Sequence, residues 1–505
     1  MRLFNTLLFV LFALSANAAD GTVGTVSVQK GNNVSVNGEA PLSLTLDGKD
    51  PQSCQFLSKR APDENHDFTW KEVTTTRGGE LAEILGDQLR SVDSLVVKGY
   101  VNDKDFHAMW DASLYGYLSV INLKNAVLEN NAVPDTAFFH ENEQYEGSSH
   151  EIFYYIGLRK IILPEGLEKI GEGAFYQASA LRQVNFPSTL RYIGDFAFNA
   201  TKLEMNQLVI PEGVEEINQY AFAFCRKLKA QVTLPSTIKK IGEWAFYGCP
   251  ITSINLPEGL ESLGSLAFWD CDLREVSIPS SCHEFNEGWQ FGFNRNLEKM
   301  HLPEGMTEIP DHFAVDCFRL REVNFPHTLK HIGEKAFSLC ISLKNVELPL
   351  GMQSLGEEAF SELEALEQIV FPASMKSLGK NSCSYWKNIK RIYCAAMEPP
   401  VCDPTDGGVF SGFDFPDGFD TPVVYIPKGT INKYKDTSRN CMGWEKFWNY
   451  VEIDPSEFPT TAIDSPAIVE TQSKDNSFYD LMGRKVEHPQ KGNIYIQNGK
   501  KFVVK

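Results

Sequence analysis

The chain has 505 residues, 43% of them hydrophobic and 22% charged, as in a folded globular protein with a large core. Its net charge of −19 at pH 7 disfavours binding to nucleic-acid phosphates and to anionic lipid surfaces. Motifs typical of zinc proteases, serine hydrolases and nucleotide-binding loops do not occur in the sequence, so we expect no catalysis, no cofactor and no metal.

Residues 1–18 are typical of a secretory signal peptide. Arg2 gives a short positive region, Leu7–Leu14 an apolar one, and Ala16-Asn17-Ala18 a small-x-small cleavage site. The apolar run is too short to cross a bilayer, and we expect no transmembrane segment. The mature chain is therefore expected outside the cytoplasm, secreted or on the cell surface. Residues 19–77 follow, and "TVSVQKGNNVSVNG" favours strands there.

A repeat dominates residues 151–397. Ala-Phe recurs ten residues after a proline, at Ala174, Ala197, Ala221, Ala245, Ala267, Ala336 and Ala359. The proline itself recurs every 22 to 24 residues, always after a large apolar residue, at Pro164, Pro187, Pro211, Pro235, Pro257, Pro279, Pro303, Pro326, Pro349 and Pro372. Coupled copies at this period predict a solenoid, in which each repeat buries its apolar side against its neighbours.

One repeat reads L-x-x-V-x-L-P-x-x-L-x-x-I-G-x-x-A-F-x-x-C. The alternation before the proline predicts a short strand with one buried face, and the proline, which has no N–H, ends that strand. The glycine allows a tight turn or a close backbone approach, and we expect the phenylalanine to point inward. The predicted fold class is a repeat solenoid, mostly β, with a parallel sheet of about ten or more stacked strands joined by short turns and helices.

Five cysteines share one position, 14 residues after the proline: Cys225, Cys249, Cys271, Cys317 and Cys340. A metal site or a chain of disulfides could follow such a column. Small residues filling a tight interior position are the favoured interpretation, because free cysteine is among the most buried residue types and Ala178 or Thr201 stands there in other repeats. We therefore expect five buried thiols.

Three repeats replace Ala-Phe, with Trp289-Gln290, Phe313-Ala314 or Ser382-Cys383. A ligand site could lie at these irregularities, and local repacking of the solenoid is the favoured alternative.

The repeat closely resembles the BspA-like (Treponema pallidum-type) leucine-rich repeat of exported and surface proteins of Bacteroidetes. The resemblance covers about residues 156–397 and implies a right-handed leucine-rich-repeat superhelix. The asparagine or cysteine of the commonest leucine-rich pattern, three residues after the last strand leucine, is missing, so a standard asparagine ladder is not expected.

The flanks resemble parts of the same proteins. Residues 78–150, with "LSVINLKNAVL", are similar to divergent leading repeats or a cap, and residues 398–454 to a closing cap. Cys394, just before this cap, and Cys402 within it could form a disulfide. Residues 455–476 are typical of a linker. Residues 477–505 predict a small β unit with an Asn498-Gly499 hairpin, and they resemble tails that sort or anchor exported proteins; a simple cap is the alternative.

Two positions of each strand should face solvent, and we call their rows the outward columns. The first reads Lys160, Gln183, Gln207, Gln231, Ser253, Glu275, Lys299, Glu322, Asn345 and Gln368. The second reads Ile162, Asn185, Val209, Thr233, Asn255, Ser277, His301, Asn324, Glu347 and Val370. Their amides and hydroxyls can hydrogen-bond to a protein or a glycan, although they also suit a plain soluble surface.

The predicted binding residues in these columns are Gln183, Asn185, Gln207, Gln231, Thr233, Asn255 and Glu275. Tyr247 and Trp269, one position past the inward phenylalanine, are predicted as exposed hot spots off the strand face, because large aromatic side chains dominate many interfaces. We therefore expect an exported, non-catalytic protein that binds a macromolecule, a surface protein or a glycan. An enzyme with its active site in a flanking region and a structural surface-layer component are the alternatives.

Overall fold

The computed structural model describes residues 67–139, 156–403, 408–412, 422–436 and 443–459, and elsewhere only the backbone of seven short strands. The chain divides into two compact units, residues 1–230 and 231–505. Within the described ranges, no helix is long and apolar enough to cross a membrane.

The first unit contains a stack of parallel strands with two helices near its start. Its elements are β1 (Gly24–Gln29), β2 (Asn33–Gly38), β3 (Leu44–Thr45), β4 (Trp70–Thr75), α1 (Leu81–Leu85), β5 (Ser94–Val101), α2 (Asp103–Tyr115), β6 (Val120–Leu128), β7 (Ala132–Val133), β8 (Lys160–Ile162), β9 (Lys169–Ile170), β10 (Gln183–Val184), β11 (Tyr192–Ile193), β12 (Gln207–Val209) and β13 (Glu216–Ile217). Strands β4, β5, β6, β8 and β10 form one parallel sheet. Strands β7, β9, β11 and β13 form a second one.

The second unit is built from the same kind of repeat, in which each copy contributes two short strands. Its elements are β14 (Gln231–Thr233), β15 (Lys240–Ile241), β16 (Ser253–Asn255), β17 (Ser262–Leu263), β18 (Glu275–Ser277), β19 (Glu284–Phe285), β20 (Lys299–His301), β21 (Glu308–Ile309), β22 (Glu322–Asn324), β23 (His331–Ile332), β24 (Asn345–Glu347), β25 (Ser354–Leu355), β26 (Gln368–Phe371), β27 (Ser377–Leu378), β28 (Arg391–Cys394), β29 (Val401–Cys402), β30 (Val423–Pro427), α3 (Ile431–Tyr434), β31 (Tyr450–Ile453), β32 (Phe478–Tyr479), β33 (Lys485–Val486), β34 (Ile494–Gln497) and β35 (Lys500–Val503). The even-numbered strands from β14 to β30, together with β31, line one side, and the odd-numbered strands from β15 to β29 line the other.

Both units confirm the predicted parallel-strand solenoid. Strands β32 to β35 form a separate antiparallel sheet, in which Gln497 lies opposite Lys500. The sheet agrees with the predicted small C-terminal β unit.

The inward phenylalanines form the centre of each core. In the first unit Phe175, Phe198 and Phe222 stack with ring centroids 5.2 and 5.3 Å apart. In the second unit Phe246 and Phe268 stack at 5.6 Å. All five rings are fully buried. Since each ring contacts the ring of the next repeat, burial depends on neighbouring repeats rather than on one repeat alone.

The repeat glycine serves close backbone approach. A Cβ atom on Gly194 would lie 2.6 Å from the backbone nitrogen of Glu172 in the preceding repeat. The tight turn falls instead on two other residues, four apart, such as Phe196 and Ala200 with φ of 56° and 57°; most residues at these positions are not glycine, although Gly173 and Gly248 are. Left-handed geometry at these positions aligns backbone N–H groups toward the next repeat.

The turn segment, residues 196–200 and their equivalents, thus forms a third hydrogen-bonded ladder, which we call the turn ladder. The N–H groups of Phe196 and Ala200 donate to the carbonyls of Gln219 and Ala223, at 2.9 and 2.8 Å. In the second unit Lys335 donates in the same way to Glu357, at 2.8 Å. The ladder satisfies backbone groups that the two short strands of a repeat leave over.

Consecutive repeats are not equivalent. Gly305, which follows Pro-Glu, has a φ of 97°. Its N–H donates at 3.0 Å to the hydroxyl of Thr328 in the next repeat, and that hydroxyl donates at 2.8 Å to the carbonyl of Met306. Gly166 with Thr189, and Gly259 with Ser281, are joined in the same way. The structural period is therefore two repeats.

Candidate binding surfaces

The outward columns lie in register along the even-numbered strands of each unit, from β8 onward. In the first unit Gln183, Asn185 and Gln207 are exposed on β10, on the residue after it, and on β12. In the second unit Gln231, Thr233, Asn255 and Glu275 are exposed on β14, β16 and β18. Thr233 lies directly opposite Asn255, so the structure brings these two predicted residues together at the strand spacing of about 4.8 Å.

Asn185 has a structural role that the sequence did not indicate. Its side-chain carbonyl accepts the N–H of Leu163 at 2.7 Å, and its amide donates to the carbonyl of Leu163 at 3.0 Å. Asn324 makes the same two contacts with Leu302. Each asparagine pairs with the residue before a proline, where the strand ladder ends. The amide of Asn185 is thus engaged by the solenoid itself.

Glu275 begins a charged section of the outward columns. Its carboxylate lies 3.2 Å from Nε2 of His301, and the ammonium of Lys299 lies 3.2 Å from the carboxylate of Glu322. Exposed pairs of this kind contribute about 0–1 kcal/mol each. Further along, hydrogen bonding and charge from Lys344, and then Lys390, lower the pKa of Glu367. The surface therefore changes from neutral amides to alternating charges along the second unit.

The prediction that Tyr247 is an exposed hot spot is wrong. Only 5% of Tyr247 is exposed. Its ring packs against Trp244, with centroids 4.4 Å apart. Position 247 lies on the turn ladder, and its ring folds against that of Trp244 instead of projecting into solvent. Trp269, at the equivalent position of the next repeat, is half-buried.

Trp269 belongs to a group of rings on and next to the turn ladder that we call the aromatic cluster: Trp269, Trp289, Phe293, His312 and Phe318. Trp269 lies 5.2 Å from Trp289 and 4.5 Å from Phe293 between centroids. Trp289 stacks on His312 at 3.6 Å, and the guanidinium of Arg295 lies over Phe293 and Phe318 at 5.7 Å. Burial lowers the pKa of His312, and the charge of Glu334 opposes that shift. The irregular repeat around Trp289 is thus an aromatic surface.

The cysteine column confirms the prediction of buried thiols. It also shows a role beyond filling space, because the sulfur atoms donate to backbone carbonyls of the preceding repeat. Cys225 donates to Phe198 at 3.2 Å and Cys317 to Phe291 at 3.3 Å. Asn294 donates to the carbonyl of Phe268 at 2.7 Å in the irregular repeat. Burial raises the pKa of the Cys317 thiol to about 12.

The disulfide that the sequence left open between Cys394 and Cys402 does not form. Both are buried thiols, and the nine cysteines of the described ranges form no disulfide. The hydroxyl of Tyr434 donates to the sulfur of Cys394 at 3.2 Å, so the cap is held by packing and hydrogen bonds. Cys441 lies outside the described residues.

Sequence reasoning missed an aromatic stretch at the end of the second outward column. Tyr393 lies opposite Tyr425, and their rings stack at 4.4 Å. Val451, opposite Tyr425, is 37% exposed. Phe458 packs on Tyr393 at 6.4 Å, so the chain after β31 covers part of this stretch. In the sequence, the tyrosines of "RIYC" and "VVYI" could have indicated this aromatic stretch.

A groove of about 370 Å³ lies near this stretch and is lined by residues that include Met375, Ala395, Met397, Pro427 and Pro455. Across the described part of the chain, no group of three or more His, Cys, Asp or Glu residues is arranged to hold a metal ion.

Comparisons with known proteins identify the family to which the repeat is similar. A family model described as the BspA type leucine rich repeat region matches residues 148–231, 229–337 and 312–397, in six copies. No curated protein matches the chain in sequence.

Several solved structures are similar to the chain. A leucine-rich repeat protein from Bacteroides ovatus is 23% identical, with 61% of this chain and 79% of that chain covered and a TM-score of 0.45. A leucine rich cell surface protein from Faecalibacterium prausnitzii is 21% identical, with 52% and 82% covered and a TM-score of 0.31. A leucine rich repeat protein from T. pallidum is 23% identical, with 37% and 73% covered and a TM-score of 0.24.

Proposed function

Because the chain belongs to the BspA-type leucine-rich repeat family, we propose that it is an exported protein that binds a macromolecular ligand at a cell surface and carries out no catalysis. The signal-peptide pattern of residues 1–18 supports export; these residues lie outside the described ranges. The repeated outward columns support binding over an extended surface, as is usual for solenoids.

The observation that carries the proposal is the exposed, in-register row of short polar groups at the start of the second unit. Gln231 lies opposite Ser253, and Thr233 opposite Asn255. All four are exposed, and none of their side chains hydrogen-bonds to another described residue. A typical interface covers about 800 Å² on each partner, an area that requires several neighbouring repeats.

The experiment uses the mature chain from Ala19 to Lys505. It is tested for saturable binding to extracellular matrix proteins and to glycans, and in parallel for turnover with a general hydrolase panel. The triple variant Gln231→Ala, Thr233→Ala, Asn255→Ala is expected to weaken binding by about tenfold or more, which corresponds to about 1.4 kcal/mol.

The matched control lies on the other side of the same repeats. Lys239 and Glu261 are exposed and 3.1 Å apart, and His283 is also exposed. The triple variant Lys239→Ala, Glu261→Ala, His283→Ala removes both charges of the pair and should leave affinity unchanged. Equal affinity of the strand-face variant and the native chain would contradict the proposed surface. Turnover without saturable binding would contradict the non-catalytic function, and exported protein that retains Met1 would contradict the signal peptide.

A further inference from the structure

We propose that the aromatic cluster is a binding platform for a neutral glycan, with Trp269 as the ring on which a sugar lies. The inference rests on the proposed function, since it assumes an extracellular macromolecular ligand. It adds a ligand class and a site on the turn ladder, away from the outward columns.

Trp269 packs against the next repeat at Gly292. A Cβ atom on Gly292 would lie 2.1 Å from Cζ3 and 2.5 Å from Cε3 of the Trp269 ring. Any residue other than glycine would therefore displace the ring. The ring is half-buried, so part of it is exposed to solvent.

The neighbouring rings extend this surface. Trp289 is tilted by 55° and Phe293 by 35° relative to Trp269, and both are half-buried. Trp289 is fixed in turn by its stack on His312. The faces of aromatic rings carry partial negative charge, which attracts the weakly positive C–H groups of a pyranose ring.

Polar groups stand beside the rings in the register of the turn ladder. The N–H of Asp270 donates to Gly292, that of Phe293 to Val315, and that of Asp316 to Ser338, at 3.1, 2.8 and 2.9 Å. Asp270, Phe293 and Asp316 thus occupy one position in three consecutive repeats. At about 4.8 Å per repeat, the two aspartates are about 10 Å apart along the solenoid, one on each side of Phe293.

These groups match the hydroxyls of a sugar. Carboxylates accept hydrogen bonds, and the guanidinium of Arg295, held over Phe293, donates them. Burial raises the pKa of Asp316, and the charge of Arg295 opposes this shift. Two carboxylates beside the rings disfavour a sulfated glycan or another polyanion. A neutral glycan supplies both an apolar ring face and hydroxyl groups.

The experiment uses the full mature chain with soluble β-1,3-glucan, α-mannan, galactan and neutral mucin-type O-glycans, with heparin as the anionic comparator. We expect at least one neutral glycan to bind and to change the tryptophan fluorescence. Heparin should compete poorly with that glycan. Trp269→Ala should lower its affinity by about tenfold or more. Trp269→Phe should retain part of the binding.

A second variant tests the same site without an expected effect on folding. Asp270→Asn with Asp316→Asn keeps the shape of the side chains and should weaken glycan binding while the thermal unfolding curve stays unchanged. Failure of every neutral glycan to bind, or native affinity in both the Trp269→Ala and the double-asparagine variants, would overturn the inference.

The strand-face triple variant at Gln231, Thr233 and Asn255 separates this inference from the proposed function. It should leave glycan binding unchanged. If it abolishes glycan binding while Trp269→Ala does not, the glycan lies on the strand face, so this inference fails and the proposed function stands. If the chain binds a protein ligand but no neutral glycan, the outcome is the same.

Discussion

At the residue scale, the turn ladder holds ordinary residues in left-handed geometry. Ala200 has a φ of 57°, which costs an L-residue about 1–2 kcal/mol. The hydrogen bond from its N–H to Ala223, at 2.8 Å, and its equivalents in other repeats offset that cost. The strain is local, so it can be relieved at one residue without loss of the ladder.

We expect Ala200→Gly to raise the free energy of unfolding by about 0.5–1 kcal/mol, because glycine adopts positive φ without steric cost. The control is Ala197→Gly in the same turn. Ala197 is fully buried and outside the left-handed region, so this change should destabilise by about 1 kcal/mol or more. Urea unfolding of both variants measures the difference, and destabilisation by Ala200→Gly of similar size would refute the strain account.

The asparagines that cap strand ends lead to a second prediction. Asn324→Ala removes two hydrogen bonds and leaves the N–H and carbonyl of Leu302 without their side-chain partner. We expect a loss of about 1–3 kcal/mol in the free energy of unfolding. Asn345→Ala, an exposed asparagine of the next repeat, should change it by less than about 0.5 kcal/mol. Similar effects of the two substitutions would contradict a capping role.

At the scale of elements, the strands could be predicted and the turn ladder could not. Proline and alternating polarity act within a few residues, so they located β18, β20 and β22, whose residues Glu275, Lys299 and Glu322 are in register as expected. Most of the left-handed residues, such as Lys335 with a φ of 51°, are neither glycine nor asparagine and carry no sequence signal; Gly173, Gly248 and Asn381 are exceptions. Hydrogen bonds to the next repeat impose their geometry, and those bonds have no local pattern.

Some features of the candidate site could likewise be predicted from the sequence, and others could not. Exposure of Thr233 and Asn255 follows from strand alternation, which is local. Burial of Tyr247 depends on how its ring meets Trp244 within the folded turn, and the platform under Trp269 depends on Gly292 in another repeat. The two-repeat period, in contrast, was readable: two residues after the proline, glycine alternates with serine or threonine along the chain, but comparison of single repeats hides the alternation.

Deletion of repeats tests the two-repeat period. Removing residues 326–348 takes out one repeat and places Pro349-Leu350-Gly351 after the Gly305 repeat, so the N–H of Gly305 loses the hydroxyl of Thr328. Removing residues 326–371 takes out two repeats and brings Ser374 into the place of Thr328. Stability in solenoids grows with the number of repeats and their interfaces. On length alone, the chain with the single deletion should therefore be the more stable of the two.

We expect the opposite order. The double deletion should have the higher urea midpoint, because it keeps a hydroxyl that can accept from the N–H of Gly305 and donate to the carbonyl of Met306, and each such hydrogen bond contributes about 0.5–1.5 kcal/mol. Circular dichroism during urea unfolding compares the two chains, with the undeleted chain as reference. A higher midpoint for the single deletion would show that each repeat is an independent unit.

At the scale of the whole molecule, cysteines in both units are kept as thiols by burial. Cys225 in the first unit, and Cys317 and Cys340 in the second, are fully buried and donate to backbone carbonyls. The export proposed above exposes a protein to oxidising conditions, and a buried protonated thiol is protected because the thiolate is the reactive form. The folded state should therefore resist thiol reagents.

The same burial predicts a loss of stability at alkaline pH. Burial raises the pKa of Cys317 to about 12 and that of Cys394 to about 11, and raises that of Cys340 as well, whereas a thiol of the unfolded chain ionises near about 8.5. Between these values the unfolded chain binds fewer protons than the folded chain. Stability is thus unaffected by these groups below about pH 8 and falls above it, by about 1.4 kcal/mol per pH unit for each thiol.

The measurement is the urea midpoint with a reductant present, near about pH 8 and about pH 10, on either side of the unfolded thiol pKa. The double variant Cys317→Ala, Cys340→Ala is the comparison. It should be less stable than the native chain near the lower pH, because two S–H donors to backbone carbonyls are lost. Its midpoint should fall less steeply toward the higher pH, since two titrating groups are gone while the tyrosines and lysines that also ionise there remain. Equal slopes for the two chains would show that these thiols keep an ordinary pKa in the folded protein and that their burial does not govern its alkaline unfolding.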